Sequence, residues 1–284
     1  MSSEIITRTV YGAGLQNALL LRRPYGILPN STLNQKLSIR ANDTLDPGVY
    51  PSICCYVLGR KGTRRQVTAG GEGYDLPVKH RPRDAAPFEM VPHVLRLLSD
   101  DIPESERSKY VLRRIELIGP VEYVAYYGKW LNVTNTEIEY TLTTVSNGNE
   151  SPIPFVPNSG DLNPTQPVLP PVGSTPALAD GDYLDVTSTI PITFNAVDVQ
   201  EFENVCMVKF GDPLLASISE IGIVSGVPKV VTVTGAGGAS FPFTEVTVAQ
   251  ISHHITTNYN LAFATSGFNL TVDIGATEPM LIEQ

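Results

Sequence analysis

Eight prolines fall within the 26 residues Ser151–Pro176, SPIPFVPNSGDLNPTQPVLPPVGSTP. Each proline fixes φ and removes a backbone donor, so a run this dense excludes helix and central strand and stiffens the chain into polyproline-like segments. The stretch reads as a linker or a surface-hugging arm. Charge divides at the same place. Residues 1–150 hold 18 of the 20 Lys and Arg against 16 Asp and Glu, net +2, whereas residues 151–284 hold only Lys209 and Lys229 against 13 carboxylates, net −11. Two independent signals thus predict an N-terminal α+β region at 1–150, a proline-rich linker or arm at 151–176 and an acidic α+β region at 177–284. A half so anionic opposes nonspecific nucleic-acid binding and favours a basic partner.

Composition narrows the class. Apolar residues at 42%, charged residues at 17% and a mean hydropathy near zero argue against both a disordered chain and a membrane protein. Pro and Gly, 23 each, imply many turns and exclude a coiled coil or solenoid. The apolar run Ala18–Leu21 is stopped by Arg22 and Arg23, far short of the roughly 20 residues a spanning helix needs. The opening Met1-Ser2-Ser3-Glu4 carries neither a basic region nor an apolar signal core, so the expectation is a soluble protein made inside the cell. Three cysteines are too few for a disulfide framework. Cys54 and Cys55 are adjacent, which disfavours pairing with each other, and are expected as buried small hydrophobes.

Periodicity predicts short helices among strands. Met90, Val94, Leu97 and Leu98 stand at helical spacing in Pro87–Ser99. Pro103 suits the first turn of a second helix, with Glu104 and Glu106 at its start, Arg113 and Arg114 at its end, and Val111, Leu112 and Ile115 facing the core. Strands are expected at Tyr50–Leu58, Val121–Val133 and Glu137–Val145, the last ending at the turn dipeptide Asn147-Gly148. Further on, Asp198 with Glu201 resembles a capping box, followed by Val199, Phe202, Val205, Cys206 and Phe210 on one face and Gly211 as a stop. Thr244–Tyr259 presents Val248, Ile251, Ile255 and Tyr259 at helical spacing, with a strand reading open for Glu245–Ile251; strands should flank it at Lys229–Thr234 and Leu261–Ile274. The fold class expected is α+β, β-rich with several short helices and an extended proline-rich arm.

Catalytic motifs do not emerge. The sequence contains no G-x-S-x-G, H-E-x-x-H or C-x-x-C. Of the four histidines, His80, His93, His253 and His254, the last two are neighbours that cannot serve one metal, and His93 reads as a core-edge residue without a partner acid. Gly235–Ser240 lacks the Gly-Lys-Ser/Thr ending of a phosphate loop and reads as a hairpin tip, while Gly12-Ala13-Gly14 lacks the third glycine of a dinucleotide fingerprint. Asp180, Asp182 and Asp185 read as a solvated turn rather than a calcium loop. Glu137 and Glu139 fall on one strand face with no accompanying acid motif, so no enzyme, catalytic residue, metal or cofactor is expected. The sequons at Asn30, Asn42, Asn132, Asn149 and Asn269 carry little meaning without a secretory signal.

One cationic cluster stands out: Arg60, Lys61, Arg64 and Arg65, directly after the apolar strand. It fits nucleic acid, or equally a hairpin tip docking on an acidic surface such as the C-terminal half of another copy. Extended arms enlarge interfaces without enlarging a core, complementary charge between copies sets register, and head-to-tail contacts close into rings. These features together suit an assembly component.

Five stretches carry a resemblance: Thr7–Gln16 (TRTVYGAGLQ), Leu28–Lys36 (LPNSTLNQK), Pro120–Tyr127 (PVEYVAYY), Phe155–Pro164 (FVPNSGDLNP) and Asp273–Met280 (DIGATEPM). They look like stretches of uncharacterised virion structural proteins of large, contractile-tailed bacteriophages. The resemblance implies a virion part, with the neck, collar or baseplate favoured for a mixed subunit with arms, and it carries over no catalytic residue. Its implied partners are other copies and other virion proteins, without membrane or specific nucleic-acid binding, and its implied location is the virion, after synthesis in the host cytoplasm. The alternative is a receptor- or glycan-binding module. Such a module calls for clustered exposed aromatics, and about half of Tyr123, Tyr126, Tyr127 and Trp130 are expected in the core.

Overall fold

A computed structural model describes residues 5–21, 49–60, 64–67, 73–76, 90–134, 136–146, 149–156, 158, 181–260 and 266–280. In chain order the elements are β1 (Ile5–Arg8), α1 (Val10–Leu20), β2 (Ser52–Gly59), β3 (Arg64–Val67), β4 (Gly73–Leu76), β5 (Met90–Val91), β6 (Val94–Leu97), α2 (Glu104–Arg107), β7 (Tyr110–Ile118), β8 (Val121–Trp130), β9 (Glu139–Ser146), β10 (Asn149–Pro154), β11 (Gly181–Phe194), α3 (Ala196–Phe210), β12 (Ser217–Thr234), β13 (Ser240–Asn260) and β14 (Phe268–Met280). Strands dominate and the helices are few and short, the β-rich mixed class expected. The contacts group the chain into two units, one of residues 1–131 and 193–269, the other of residues 132–192 and 270–284. The chain passes between them three times, so neither unit matches the compositional division at residue 150.

The first unit is organised by strands that are apolar on both faces. In β2, every residue from Cys54 to Gly59 is buried, the pattern of a central strand rather than a half-exposed one. The sheet runs β1-β13-β12-β2-β8-β6, with β5 added to β2 and β7 to β8. Alternate residues of β8 feed two cores. Val124 and Tyr126 pack with Val94, Tyr110, Val231 and Phe243, whereas Ala125 and Tyr127 pack with Cys55, Val57, Leu95 and Val205. The long β12–β13 hairpin serves both. Register slips beside Ser225 and an extra residue at Val248, held at φ 56, interrupt the ladder. Such bulges bend a hairpin. Before the bulge, Glu220–Gly226 pairs with β2; beyond it, Val231 and Phe243 cover the Tyr126 face of β8.

Helix α3 begins one turn earlier than the Asp198 and Glu201 pattern suggests. Asn195 is the N-cap, its side chain accepting from the Val197 and Asp198 amides at 2.9 and 3.0 Å, while the Asp198 carboxylate accepts from the Asn195 amide at 2.9 Å. Phe202, Val205 and Cys206 are buried, and Gly211 ends the helix at φ 78, a conformation glycine adopts without penalty. Glu201, freed from capping, pairs with Arg96.

The second unit holds a four-stranded sheet in the order β10-β9-β11-β14. Its buried apolar side chains include Ile190, Ile192, Leu270 and Val272. Threonine hydroxyls secure its carboxylates: Thr143 and Thr277 donate to Asp185 at 2.9 and 2.5 Å, and Thr189 donates to Asp273 at 2.7 Å. β10 lies at the sheet edge, where Pro152 and Pro154, opposite Thr143 and Thr141, are tolerated.

Several sequence expectations are corrected. Pro87–Ser99 is not a helix: the described part forms β5, β6 and a 3₁₀ turn, because Val94 and Leu95 are buried on opposite faces against the two cores. The helix after Pro103 stops at Arg107, and Arg113 and Arg114 stand on β7, with Ile115 exposed rather than in the core. Thr244–Tyr259 belongs to β13, not to a helix. Asp182 and Asp185 lie in β11 rather than in a turn, and Asp180 lies outside the described residues. The proline-rich stretch opens as the end of the edge strand β10; its residues 157 and 159–176 lie outside the described residues.

Candidate functional site

The cationic cluster begins where β2 ends. Arg60 is half-buried, with its guanidinium 4.7 Å above the Phe210 ring at the carbonyl end of α3, where a cation complements the helix dipole. Lys61 lies outside the described residues. Arg64 and Arg65 are consecutive positions of β3, which forms a two-stranded antiparallel ribbon with β4 and sets them opposite Leu76 and Asp75. The structure therefore places Arg64 and Arg65 at successive positions of the ribbon and engages Arg60 with α3.

Several described carboxylates of the first unit are paired internally with Lys or Arg. Lys129 contacts both oxygens of Asp198 at 2.9 Å, Arg96 pairs with Glu201, and Arg114 pairs with Glu245 at 2.8 Å. Arg113 donates to Asp101 at 2.9 Å, and Asp101 also accepts from the Tyr126 hydroxyl at 2.6 Å. Lys209 pairs with Glu116 at 2.8 Å, and Glu116 also accepts from Tyr127. Asp198, Glu201 and Glu245 belong to the acidic half of the sequence, and their partners to the cationic half. The charge split between the halves is thus partly closed within one chain.

The histidines are interior groups. His93 is fully buried between Tyr56, Tyr110 and Phe194, its ring meeting Tyr56 edge-on at 5.2 Å. Burial, reinforced by Lys129, pushes its pKa down to about 3. His253 is pushed down to about 4 by burial and by Arg8. Both stay neutral at pH 7, out of the range of a general base poised near neutrality. His254 lies beside buried Glu220 at 3.7 Å, and because β13 is a strand, His253 and His254 point to opposite faces.

All three cysteines are free and buried; burial raises the Cys55 thiol well above its ordinary range and the Cys206 thiol to about 11, so neither is a thiolate near neutrality. Among the described residues, no cluster of three His, Cys, Asp or Glu is placed to hold a metal ion. Tyr126 and Tyr127 are core residues, while Tyr123 and Trp130 are half-buried. Gly12-Ala13-Gly14 lies within α1, and Gly235–Ser240 spans the tip between β12 and β13.

The second unit is electrostatically one-sided. Residues 132–192 and 270–284 contain ten Asp and Glu and no Lys, Arg or His; all 20 Lys and Arg lie in the first unit. Its open concavity is lined by Asn132, Thr136, Glu137, Glu139, Thr189 and Pro191, with both glutamates exposed. Two carboxylates flanked by hydroxyl and amide groups suit a guanidinium or ammonium.

A family model matches residues 1–284. The chain belongs to DUF7208, a family of unknown function. No curated protein and no solved structure matches it. Sequence reasoning on this DUF7208 chain found the basic ribbon but missed the concavity. The available signal was the absence of any Lys, Arg or His from Trp130 to Val208, a cation-free run that begins upstream of the proline-rich stretch. The distinctive feature of this chain is the concentration of ten carboxylates, with no Lys or Arg, in its second unit.

Proposed function

We propose that the chain is a structural subunit of a tailed-phage virion, a ring or assembly component of the neck, collar or baseplate. The observation that carries this reading is the uneven charge: one unit holds ten carboxylates without a single Lys or Arg, and the other is near neutral, with 20 Lys and Arg against 19 carboxylates, four of the cations falling in the run Arg60–Arg65. An anionic unit and a basic run in one chain give copies unlike charges to pair, and contacts between unlike parts are directional. The resemblance of five stretches to virion structural proteins supports the same reading. On it, the chain is made in the host cytoplasm, the partners are further copies and other virion proteins, and no chemistry or cofactor is involved. No described helix is long and apolar enough to cross a membrane. The alternative glycan-binding reading is less well supported, because two of the four clustered aromatics are in the core.

The test is the native mass of the purified protein by light scattering together with mass spectrometry of intact particles. A ring-sized oligomer present in virions is the expected result. A monomer absent from particles overturns it.

A further inference from the structure

We propose that the outer half of the β12–β13 hairpin, Val227–Thr247, is an exchangeable arm that leaves its seat in one copy and takes the identical seat in a second. This rests on the assembly reading above and deepens it, naming the contact between copies.

The hairpin bends where its support ends. Gly226 is the last residue of β12 paired with β2, opposite Ser52, and the register slip between Ser225 and Val227 lies at the same point. Two positions carry the bend. A Cβ on Gly226 would run into the Val246 side chain, and Val248, at φ 56, is the one non-glycine residue with positive φ among the described residues. Positive φ is an outlier for a β-branched residue, and such strain persists only where the surrounding contacts enforce it.

Past the bend, side chains hold the arm down. Val231 and Phe243 close over the Val94, Tyr110, Val124 and Tyr126 face. Arg113, itself held by Asp101, donates to the Thr234 carbonyl at 2.7 Å, and the Arg107 guanidinium lies 4.4 Å above the Phe241 ring. Arg114 pairs with Glu245 at 2.8 Å. All of these contacts join the arm to β6, β7, β8 or α2, so the body of a second copy offers the same set. Exchange therefore preserves the contacts at the seat. The closed and exchanged forms differ in the hinge and in the cost of bringing two copies together. Straightening returns Val248 to extended backbone, which favours exchange, and mass action adds to it as concentration rises. A straightened Val227–Thr234 extends about 26 Å beyond the body, at the rise of an ordinary strand.

The experiment uses the full chain and the Arg114–Glu245 pair. Arg114→Glu alone sets two carboxylates against each other at the seat, and Glu245→Arg alone sets guanidinium groups against each other. Exchange between these two variants restores opposite charges at both seats, because the arm of the first then meets the unaltered Arg114 of the second, and the reversed pair forms at the other seat. The variants are refolded together, so that neither has to fold alone. Native mass spectrometry and light scattering should find a mixed oligomer, at least tenfold more abundant than the assembly of either variant by itself. In the otherwise unaltered chain, Val248→Gly should relax the closed hinge and raise the concentration for half-assembly about tenfold, with circular dichroism reporting a retained fold. A mixture that assembles no better than its components, while the wild type still forms an oligomer, overturns exchange and leaves the assembly reading standing. So does a folded Val248→Gly chain whose half-assembly concentration is that of the wild type. A wild type that is monomeric at every concentration and absent from particles overturns both.

Discussion

Arg114 Nη1 lies 2.8 Å from Glu245 Oε1, joining β7 to β13 and the cationic half of the sequence to the acidic half. Glu245 is almost fully buried and Arg114 nearly so. Removing one member of a buried pair strands the other charge, a loss of about 3–5 kcal/mol, whereas replacing both with apolar groups of similar volume is far milder. Glu245→Ala should therefore lower the urea midpoint much more than Arg114→Met/Glu245→Leu. Equal losses from the single and double replacements would show that the pair does not organise this contact.

Asp198 has two duties, capping α3 through the Asn195 amide and neutralising Lys129. Loss of an N-cap side chain alone costs about 1 kcal/mol. Asn195→Ala should show a loss of that size, and Asp198→Ala a clearly larger one because half-buried Lys129 loses its counter-charge. Replacing Lys129 with Met in the Asp198→Ala background should recover part of the difference in chemical denaturation.

The histidines predict an acid-sensitive fold. His93 and His253 have native pKa values of about 3 and 4, below the ordinary 6.5, so the unfolded chain binds protons that the native chain refuses. Their contribution is fully present above pH 6.5 and declines as pH falls toward 4, with a slope of up to ~1.4 kcal/mol per pH unit for each. Stability from urea titrations should therefore fall between pH 6.5 and 4.5, before most carboxylates titrate. His93→Phe should flatten that slope; a profile unchanged by it would show that His93 is protonated as readily in the folded chain.

What was legible in the sequence followed from burial on one side or from local chemistry. The Gly211 stop and the apolar face of α3 are local signals, and both hold in the structure. β13 was obscured because Gln250–Ile255 is buried on both faces, which erases alternation and leaves Val248, Ile251 and Ile255 mimicking a helical period. The basic run was visible as composition. The anionic unit was only partly visible: the cation-free run Trp130–Val208 marks it, but a division drawn at residue 150 assigns Glu137 and Glu139 to the cationic half. Nor does sequence reveal that Asp198, Glu201 and Glu245 are internally neutralised, a fact of long-range pairing.

Pro152 and Pro154 yield a prediction of a different kind, about what the chain avoids. They sit on an edge strand whose six residues are all exposed, at the positions whose amides would face away from β9. Exposed strand edges with free donors template pairing with other chains. Pro152→Thr/Pro154→Thr restores two outward N–H groups without removing a buried side chain or a ladder bond to β9. Thermal stability should change by less than about 0.5 kcal/mol, as for surface replacements generally. Self-association should rise, seen as larger particles in light scattering, and should persist at high salt because backbone pairing is insensitive to screening. That salt resistance separates it from charge-driven association. A double variant whose association is unchanged would show that the prolines do not seal this edge.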